Sequence, residues 1–571
     1  MDSEIPTTKL ASGESRAAPA PLGEDEARAA RQVSRRRAFH QMFIVVGLAV
    51  LVRIPQLRFP MGVTAGTAAY VGQQWLERGA VPYRDAWDYH APGHYLLCGA
   101  AVRWVAPVVA RAEQWLARVA AGHHGSVLRV TVGEAMPEAC RAVMLAVGLA
   151  TMFVVYRFVR RWSGRTEAVT AAGLCGFFTG TLLVQGDCLE AAEGMTLFVA
   201  VAMWAAVRSE GRRALWLAVS GLAAGVAACF EPLAVVYVAA LLLWVAAANG
   251  GVGRLKRWVL RPSVLLIGAA LPVACVAAYF WRHGALDALW RNAVVYNALY
   301  RWLPMAHRTP SSQWQTIRAM APEHGALWLF AGGWALHAFS MGFRRETGLV
   351  ALWGLASLVA TFAVRQVVPA HFLQTVPPLA VGAALALTNP TERLLARDER
   401  GRVEARSAVL VLLALVFVAA FVYAERRAYL AQVSRKDLST DQAAERVADM
   451  IRDHTMPGHS IYVWGVGPQV YVLADRPAAH RMFYNRPLNV AWLVREFFGE
   501  GIFEEIYWKL VREQPVFIVT TEEFLPDEPE PRGPMRDLFR FLREHYDLWQ
   551  IVDAKPYSFA IYARKDRALL P

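Results

Sequence analysis

The chain is divided into apolar runs of roughly 17 to 22 residues separated by short polar loops, and that spacing admits few folds. A helix advances about 1.5 Å per residue and satisfies its own backbone groups, so runs of this length suit a bilayer crossing. They fall at about 38–54, 139–158, 166–185, 190–207, 213–230, 232–248, 262–281, 324–342, 347–364, 368–387 and 406–424, which predicts eleven spans. A hydrophobic share of 56% in 571 residues is too high for one large soluble domain.

The net charge of +13 would suit nucleic acid in a soluble protein. Here the arginines lie between apolar runs, so the positive-inside rule accounts for them and no nucleic-acid partner is expected. Arg157, Arg160, Arg161 and Arg165 fill one short loop, and Arg208, Arg212 and Arg213 another. Arg254, Lys256, Arg257 and Arg261 fill a third, and Arg344 and Arg345 a fourth. These loops and the N-terminal residues 1–37, a polar stretch expected to be disordered, are assigned to the cytoplasm. The alternate loops and everything after residue 425 then face outward. The sequence thus predicts a multi-pass protein of the cell (inner) membrane, with membrane lipid as its surroundings. No signal-peptide pattern is expected at the N-terminus, because about 37 polar residues precede the first apolar run. The six cysteines form no CxxC pair and no zinc-ligand spacing, so neither a disulfide framework nor a metal site is expected.

Residues 94–110 are apolar but contain Arg103 and Pro107. If they spanned, every later arginine-rich loop would change sides, so parity predicts a helix lying at the interface or dipping in without crossing. The fold class is therefore an all-α polytopic membrane domain over 38–425, with outer loops 55–138 and 282–323. Residues 426–571 differ: short β-rich runs at 461–464, 516–519 and 558–562 alternate with helical stretches at 441–453 and 534–546. They predict a small extracytoplasmic α/β domain.

Chemistry-bearing residues gather in three outer stretches. The loop Pro82–Gly93 carries Tyr83, Asp85, Asp88 and His90. A carboxylate at the mouth of an outer cleft can take a proton from a hydroxyl, although Asp is also common in caps and turns. The second stretch holds Asp187, Glu190 and Glu193, three acids in seven residues at a membrane boundary. Such acids either cap a helix or serve function. Glu231 before Pro232 is a similar case. The third stretch, 282–323, is basic and aromatic, with Arg291 and Arg301 among its cations. Arginine grips phosphate oxygens bidentately and aromatic rings settle at headgroup level, so a phosphorylated lipid bearing a sugar fits this composition.

Val81-Pro82-Tyr83-Arg84-Asp85-Ala86-Trp87, followed by Ala91-Pro92-Gly93, resembles the first-outer-loop signature of GT-C membrane glycosyltransferases. The branch includes protein mannosyltransferases, aminoarabinose transferases and lipopolysaccharide-core galacturonosyltransferase-like proteins. Ala69-Tyr70-Val71-Gly72-Gln73-Gln74, Arg141, and Ser460-Ile461-Tyr462-Val463-Trp464-Gly465 with Arg476-Pro477 are similar too. The resemblance implies a polyprenyl-phosphate sugar donor, an acceptor hydroxyl on a glycan, lipid or protein, and a hexosyl or pentosyl transfer at the outer face. It implies Asp85, Asp88 and Asp187 as catalytic candidates, and His90, Tyr83, Glu190, Glu193, Arg291 and Arg301 as substrate-binding candidates. No cofactor is certain, and the sequence leaves open whether a divalent cation assists. The acidic pair that the family carries before the Ala-Tyr helix is replaced by Thr64 and Ala65. A catalytically inactive homologue that binds a lipid-linked sugar or assists a partner is therefore the alternative. A lipid-sugar transporter is a third reading, disfavoured because charges cluster at the outer boundaries rather than within spans.

Overall fold

A computed structural model describes residues 42–47, 49–51, 53–121, 131–181, 184, 189–209, 214–247, 256–300, 310–340, 342, 344, 345–363, 369–394, 439–499, 501–521, 535–555 and 557–566. Contacts divide the chain at residues 44 and 45, and everything described below belongs to the unit Val45–Pro571. The expected span 38–54 lies partly, and the expected span 406–424 wholly, outside the described residues.

Most of the expected spans coincide with helices, several with ends displaced by a turn or more, and the one expected at 324–342 starts already at Pro310. They are α3 (Met136–Val159), α4 (Arg165–Phe178), α5 (Ala191–Arg208), α6 (Ala214–Phe230), α7 (Val235–Ala247), α8 (Arg261–Arg282), α9 (Pro310–Ser340), α10 (Arg345–Ala363) and α11 (Val376–Leu394). Two helices precede them, α1 (Val63–Arg78) and α2 (Pro92–Val119). Among the described residues, six helices are long and apolar enough to cross a membrane, and the apolar helices Ala214–Phe230 and Pro232–Ala247 are shorter.

One of the six is α2, a continuous 28-residue helix where a shorter interfacial segment was expected. Pro107 does not end it. The turn Ala101–Val105 widens to π geometry just before the proline, which relieves the clash and the missing N–H that a proline imposes. Arg103 turns back to the Leu76 carbonyl of α1, so its charge is spent on a helix end.

Small residues set the helix spacing. A Cβ on Gly221 or Gly225 of α6 would overlap the Leu265 or Ala269 carbonyl of α8, so these backbones touch directly. Gly72 of α1 and Gly99 of α2 do the same for each other. Tertiary demands also shorten α4, which ends at Phe178 rather than 185. Buried Arg53 donates to the Gly176 carbonyl at 2.7 Å and to Thr179 Oγ1 at 2.9 Å, closing the C-terminal end of that helix.

The C-terminal residues form a four-stranded mixed sheet. Its strands are β1 (Ile461–Trp464), β2 (Phe517–Thr521), β3 (Tyr546–Val552) and β4 (Phe559–Arg564), in spatial order β1-β2-β4-β3. β1 runs parallel to β2, and β4 pairs antiparallel with both β2 and β3. Helices α12 (Ser439–Asp453), α13 (Gln469–Ala474), α14 (Ile502–Glu513) and α15 (Met535–His545) accompany the sheet. Every residue of β1 and β2 is buried, which fits the unbroken apolar and aromatic run of β1 and the Phe-Ile-Val start of β2. This layer packs on α1. The Tyr70 ring packs tilted against Tyr471 and Phe483, with centroids at 5.1 and 4.8 Å, and the Ala478 N–H donates to the Tyr70 hydroxyl.

Candidate functional site: a buried aspartate–histidine pair

Between α1 and α2 the chain makes a tight turn, then runs extended to Pro92. The turn is built by its own polar groups. Tyr83 adopts φ 68°, the Tyr83 N–H donates to the Ala86 carbonyl at 2.8 Å, and the Val81 N–H donates to Asp85 Oδ2 at 2.8 Å. Arg84 clasps both oxygens of Asp85 at 2.8 Å. That guanidinium, helped by the Val81 N–H, outweighs partial burial and holds the Asp85 carboxyl below its ordinary range. Asp85 thus fastens a turn. The Tyr83 ring is buried at 1% exposure, and its hydroxyl donates to the His90 carbonyl at 2.6 Å. Tyr83 therefore braces the segment from inside.

Asp88 is fully buried. Its Oδ2 lies 2.8 Å from His90 Nδ1, and its Oδ1 accepts from the Tyr484 hydroxyl at 2.9 Å. Burial pushes the Asp88 carboxyl up, but the His90 cation, its hydrogen bond, the Tyr89 N–H and Tyr484 together bring it below its ordinary value. His90 is the complement. Burial opposes its charge, yet Asp88, then Glu190 and Glu231, raise it from 6.5 to about 9. At neutral pH this is an imidazolium whose Nδ1–H is committed to Asp88. The ring stacks on Tyr89 at 4.5 Å, and Tyr89 stacks on Tyr296 at 5.2 Å.

Four separate parts of the chain hold this pair. The Tyr89 carbonyl accepts from Asn297 Nδ2 at 2.9 Å, and Trp87 Nε1 donates to Asn292 Oδ1 at 2.7 Å. The Trp87 N–H donates to the Arg481 carbonyl at 2.9 Å, which ties the segment to the C-terminal layer. At the start of α2, His94 Nε2 sits 2.9 Å from the Leu189 carbonyl oxygen, and Gly93 leaves no room for a Cβ beside the Cys229 carbonyl. The neighbours of Leu189 and Cys229 include Glu190, the residue preceding α5, and Glu231, the residue after α6. The first loop, the two acid-bearing helix ends, the 286–300 segment and the tail therefore meet at His90.

Several expected residues stand elsewhere. Glu193 is buried in the first turn of α5. Arg291 donates to the Phe497 carbonyl at 3.0 Å and lies over the Phe497 ring, joining the 286–300 segment to the tail. Asp187 and Arg301 lie outside the described residues. Thr64 and Ala65, where the resemblance places an acidic pair, sit in the first turn of α1 beneath the tail. A Cβ on neighbouring Gly66 would overlap Gln469, so this helix start is closed by packing. Carboxylates reach that start from the tail: Glu445 Oε1 accepts the Met61 N–H at 3.3 Å, and Asp441 lies beside Gly62. Burial pushes Glu445 up to about 7. Tyr484, Asn292, Asn297 and Glu445 carry no local sequence signal, because only the docking of the tail gives them their partners. No group of three or more His, Cys, Asp or Glu side chains able to hold a metal ion occurs among the described residues.

Comparison with known proteins follows the same lines. Residues 130–281 match the family model described as dolichyl-phosphate-mannose-protein mannosyltransferase. No curated protein matches. The chain is similar in structure to ArnT from Cupriavidus metallidurans bound to undecaprenyl phosphate, with a TM-score of 0.54 at 13% identity, covering 91% of this chain and 97% of that one. It is also similar to the archaeal oligosaccharyltransferase AglB from Archaeoglobus fulgidus in complex with an inhibitory peptide and a dolichol-phosphate. There the TM-score is 0.53 at 14% identity, covering 85% of this chain and 69% of that one. The fold is that of the GT-C class of membrane glycosyltransferases. The chain carries that fold with an aspartate–histidine pair at the loop and with Thr64 and Ala65 at the start of α1.

Proposed function

We propose that the protein is a membrane glycosyltransferase that moves a sugar from a polyprenyl-phosphate donor to an acceptor hydroxyl at the membrane surface. The observation that carries this is His90: a cation fixed by buried Asp88 and flanked by Glu190 and Glu231, at the meeting point of the first loop, α5, α6 and the tail. The fold likeness to a protein bound to undecaprenyl phosphate supports a lipid-linked donor.

In this reading the acceptor oxygen attacks the anomeric carbon while the bond from that carbon to the phosphate oxygen breaks. The electron pair leaves on the lipid phosphate. The His90 imidazolium steadies that growing negative charge through its Nε2 side, since Nδ1 is engaged with Asp88. The acceptor proton passes to a carboxylate, with Glu190 or Glu231 as the candidates and Asp187 on the same segment as Glu190. Asp88 acts as a positioning residue: it fixes the ring and keeps its charge. Hexosyl or pentosyl identity follows from the donor that works.

The second reading, a non-catalytic relative that binds the carrier lipid, is supported by the closed start of α1, where Gln469 of the tail packs on Gly66. One experiment separates the two. Full-length protein in nanodiscs is assayed for transfer from several polyprenyl-phosphate sugars and, in parallel, for binding of undecaprenyl phosphate. Glycosyl transfer abolished by His90→Ala supports the enzyme. Lipid binding weakened by His90→Ala, with no transfer from any donor, supports the non-catalytic relative. Transfer unaffected by His90→Ala removes the proposed site.

A further inference from the structure

A cavity lies beside the 80–86 turn. It has a volume of about 580 Å³ and runs between α1, the turn, the segment 477–483 and α14. That size matches a small ligand rather than a crevice of imperfect packing. Asp88 and His90 do not line it.

Three features of its wall point to the ligand. First, α14 presents Glu505, Trp508, Lys509 and Arg512 to it, at positions i, i+3, i+4 and i+7 along one helical face. Trp508 is 55% exposed, which is costly for an indole unless a partner covers it. Second, the charges do not balance. Asp85 is fully engaged by Arg84, and Glu505 is gripped by Arg481 at 2.7 and 2.9 Å and by His480 at 3.2 Å. Lys509 is shared with Glu513 at 2.8 Å. Arg512 has no acidic partner among the described residues. The acids of the cavity are thus neutralised within it, and positive charge is left over. Third, Gln74 of α1 lies on the wall at 8% exposure, and its amide Nε2 has no hydrogen-bond partner among the described residues. A buried amide donor without an acceptor is unfavourable by about 1–3 kcal/mol; this nitrogen is itself sealed from solvent, so a ligand oxygen would meet it only after a small shift of the wall.

An exposed indole, a surplus guanidinium and an orphan amide donor together suit a ring that has an apolar face, hydroxyl oxygens and one anionic group. We infer that this cavity binds an anionic saccharide, a sugar carrying a carboxylate or a phosphate, as the acceptor-side ligand of the protein. The inference rests on the glycosyl-transfer reading for the word acceptor, but binding itself is independent of transfer. The geometry also links the two sites. The strand of tail that lines the cavity, Pro477–Phe483, continues directly into Tyr484, whose hydroxyl holds Asp88. An occupied cavity would therefore press on the segment that positions the aspartate–histidine pair.

The test is calorimetric titration of the full-length protein in nanodiscs with three probes: digalacturonate, glucose 6-phosphate and maltose. Binding of at least one anionic sugar about tenfold tighter than maltose is expected, a gap that narrows in high salt. Arg512→Ala and Trp508→Ala should each weaken that binding about tenfold. Arg495→Ala, at an exposed arginine outside the cavity, should leave it unchanged. Digalacturonate alone would mark a carboxylate ligand, and glucose 6-phosphate alone a phosphate. Equal binding of maltose, no binding of any probe at millimolar concentration, or indifference to both Arg512→Ala and Trp508→Ala would overturn the inference. Failure of glycosyl transfer with binding intact would instead sink the enzyme reading and leave the cavity standing.

Discussion

Replacing Asp88 by asparagine keeps the shape of the side chain and removes its charge, which isolates what that charge does. His90 is raised from its ordinary 6.5 to about 9, a preference for the protonated ring of roughly 3 kcal/mol. Asp88 is the first of the groups producing that rise, and burial is the main term against it. With asparagine in place, burial prevails and the ring sheds its proton near neutrality. The sign of the stability effect follows from linkage. A histidine with a raised folded-state value contributes its full stabilisation below pH 6.5, and that contribution fades as pH rises through about 9. Wild type should therefore lose on the order of 3 kcal/mol from this site across that window, while Asp88→Asn should lose almost none and start from a lower stability. Thermal unfolding in nanodiscs between about pH 6 and 10 measures it, for wild type, Asp88→Asn, His90→Gln and the double variant. His90→Gln should be flat over the same range, and the double-variant cycle should return a coupling above about 1 kcal/mol at pH 7. A wild-type profile that superimposes on His90→Gln from pH 6.5 to 9, or additive single effects, would refute the reasoning.

Other consequences are read more simply. Gly66→Ala should lower the unfolding midpoint by forcing Gln469 away from α1, an overpacking effect of about 1–3 kcal/mol, whereas Gly79→Asn, at a left-handed helix end open to solvent, should be nearly neutral in the same scan. Glu190→Gln and Glu231→Gln should each bring His90 down from about 9, moving the alkaline limb of any transfer rate towards neutrality; an unmoved limb in both variants would detach these acids from His90. Burial holds Glu445 at about 7, so its ionised form is unfavourable in the folded chain. Stability tied to Glu445 is present below pH 4.5 and lost as pH rises through about 7, so Glu445→Gln should stabilise at pH 8 and change little at pH 5. A divalent cation is proposed only as a helper at the donor phosphate: if it takes part, chelation with EDTA should abolish transfer and added magnesium restore it, and transfer indifferent to EDTA would remove it.

How far the sequence carried can be judged residue by residue. Helices α3 and α5 through α8 were legible because an apolar run of fixed length has one way to satisfy its backbone in lipid. Strands β1, β2 and β4 were legible because short β-branched and aromatic runs between Gly and Pro signals leave little else. Helix α2 was legible in part: residues 94–110 were expected to be helical, and the structure extends that helix to Pro92–Val119, with Arg103 bonded to the end of α1 and a π-turn absorbing the proline. Asp85 and Asp88 looked alike as two acids three residues apart. The fold separates them completely: one closes an exposed turn with Arg84, and the other is sealed in with His90 and Tyr484.

By itself, then, the sequence determined that this chain is built of membrane-length helices with a mixed α/β layer at its C-terminal end, since hydrophobic length and period are local properties that no distant contact has to supply. It also marked the loop after residue 80 as the place where charge and aromatic rings concentrate. Only the tertiary structure decided which of those charges is buried and which closes a turn at the surface. Burial and the field of groups far apart in the sequence, Glu190, Glu231 and Tyr484 around Asp88 and His90, set a proton's affinity, and that field exists only once the helices and the tail have come together.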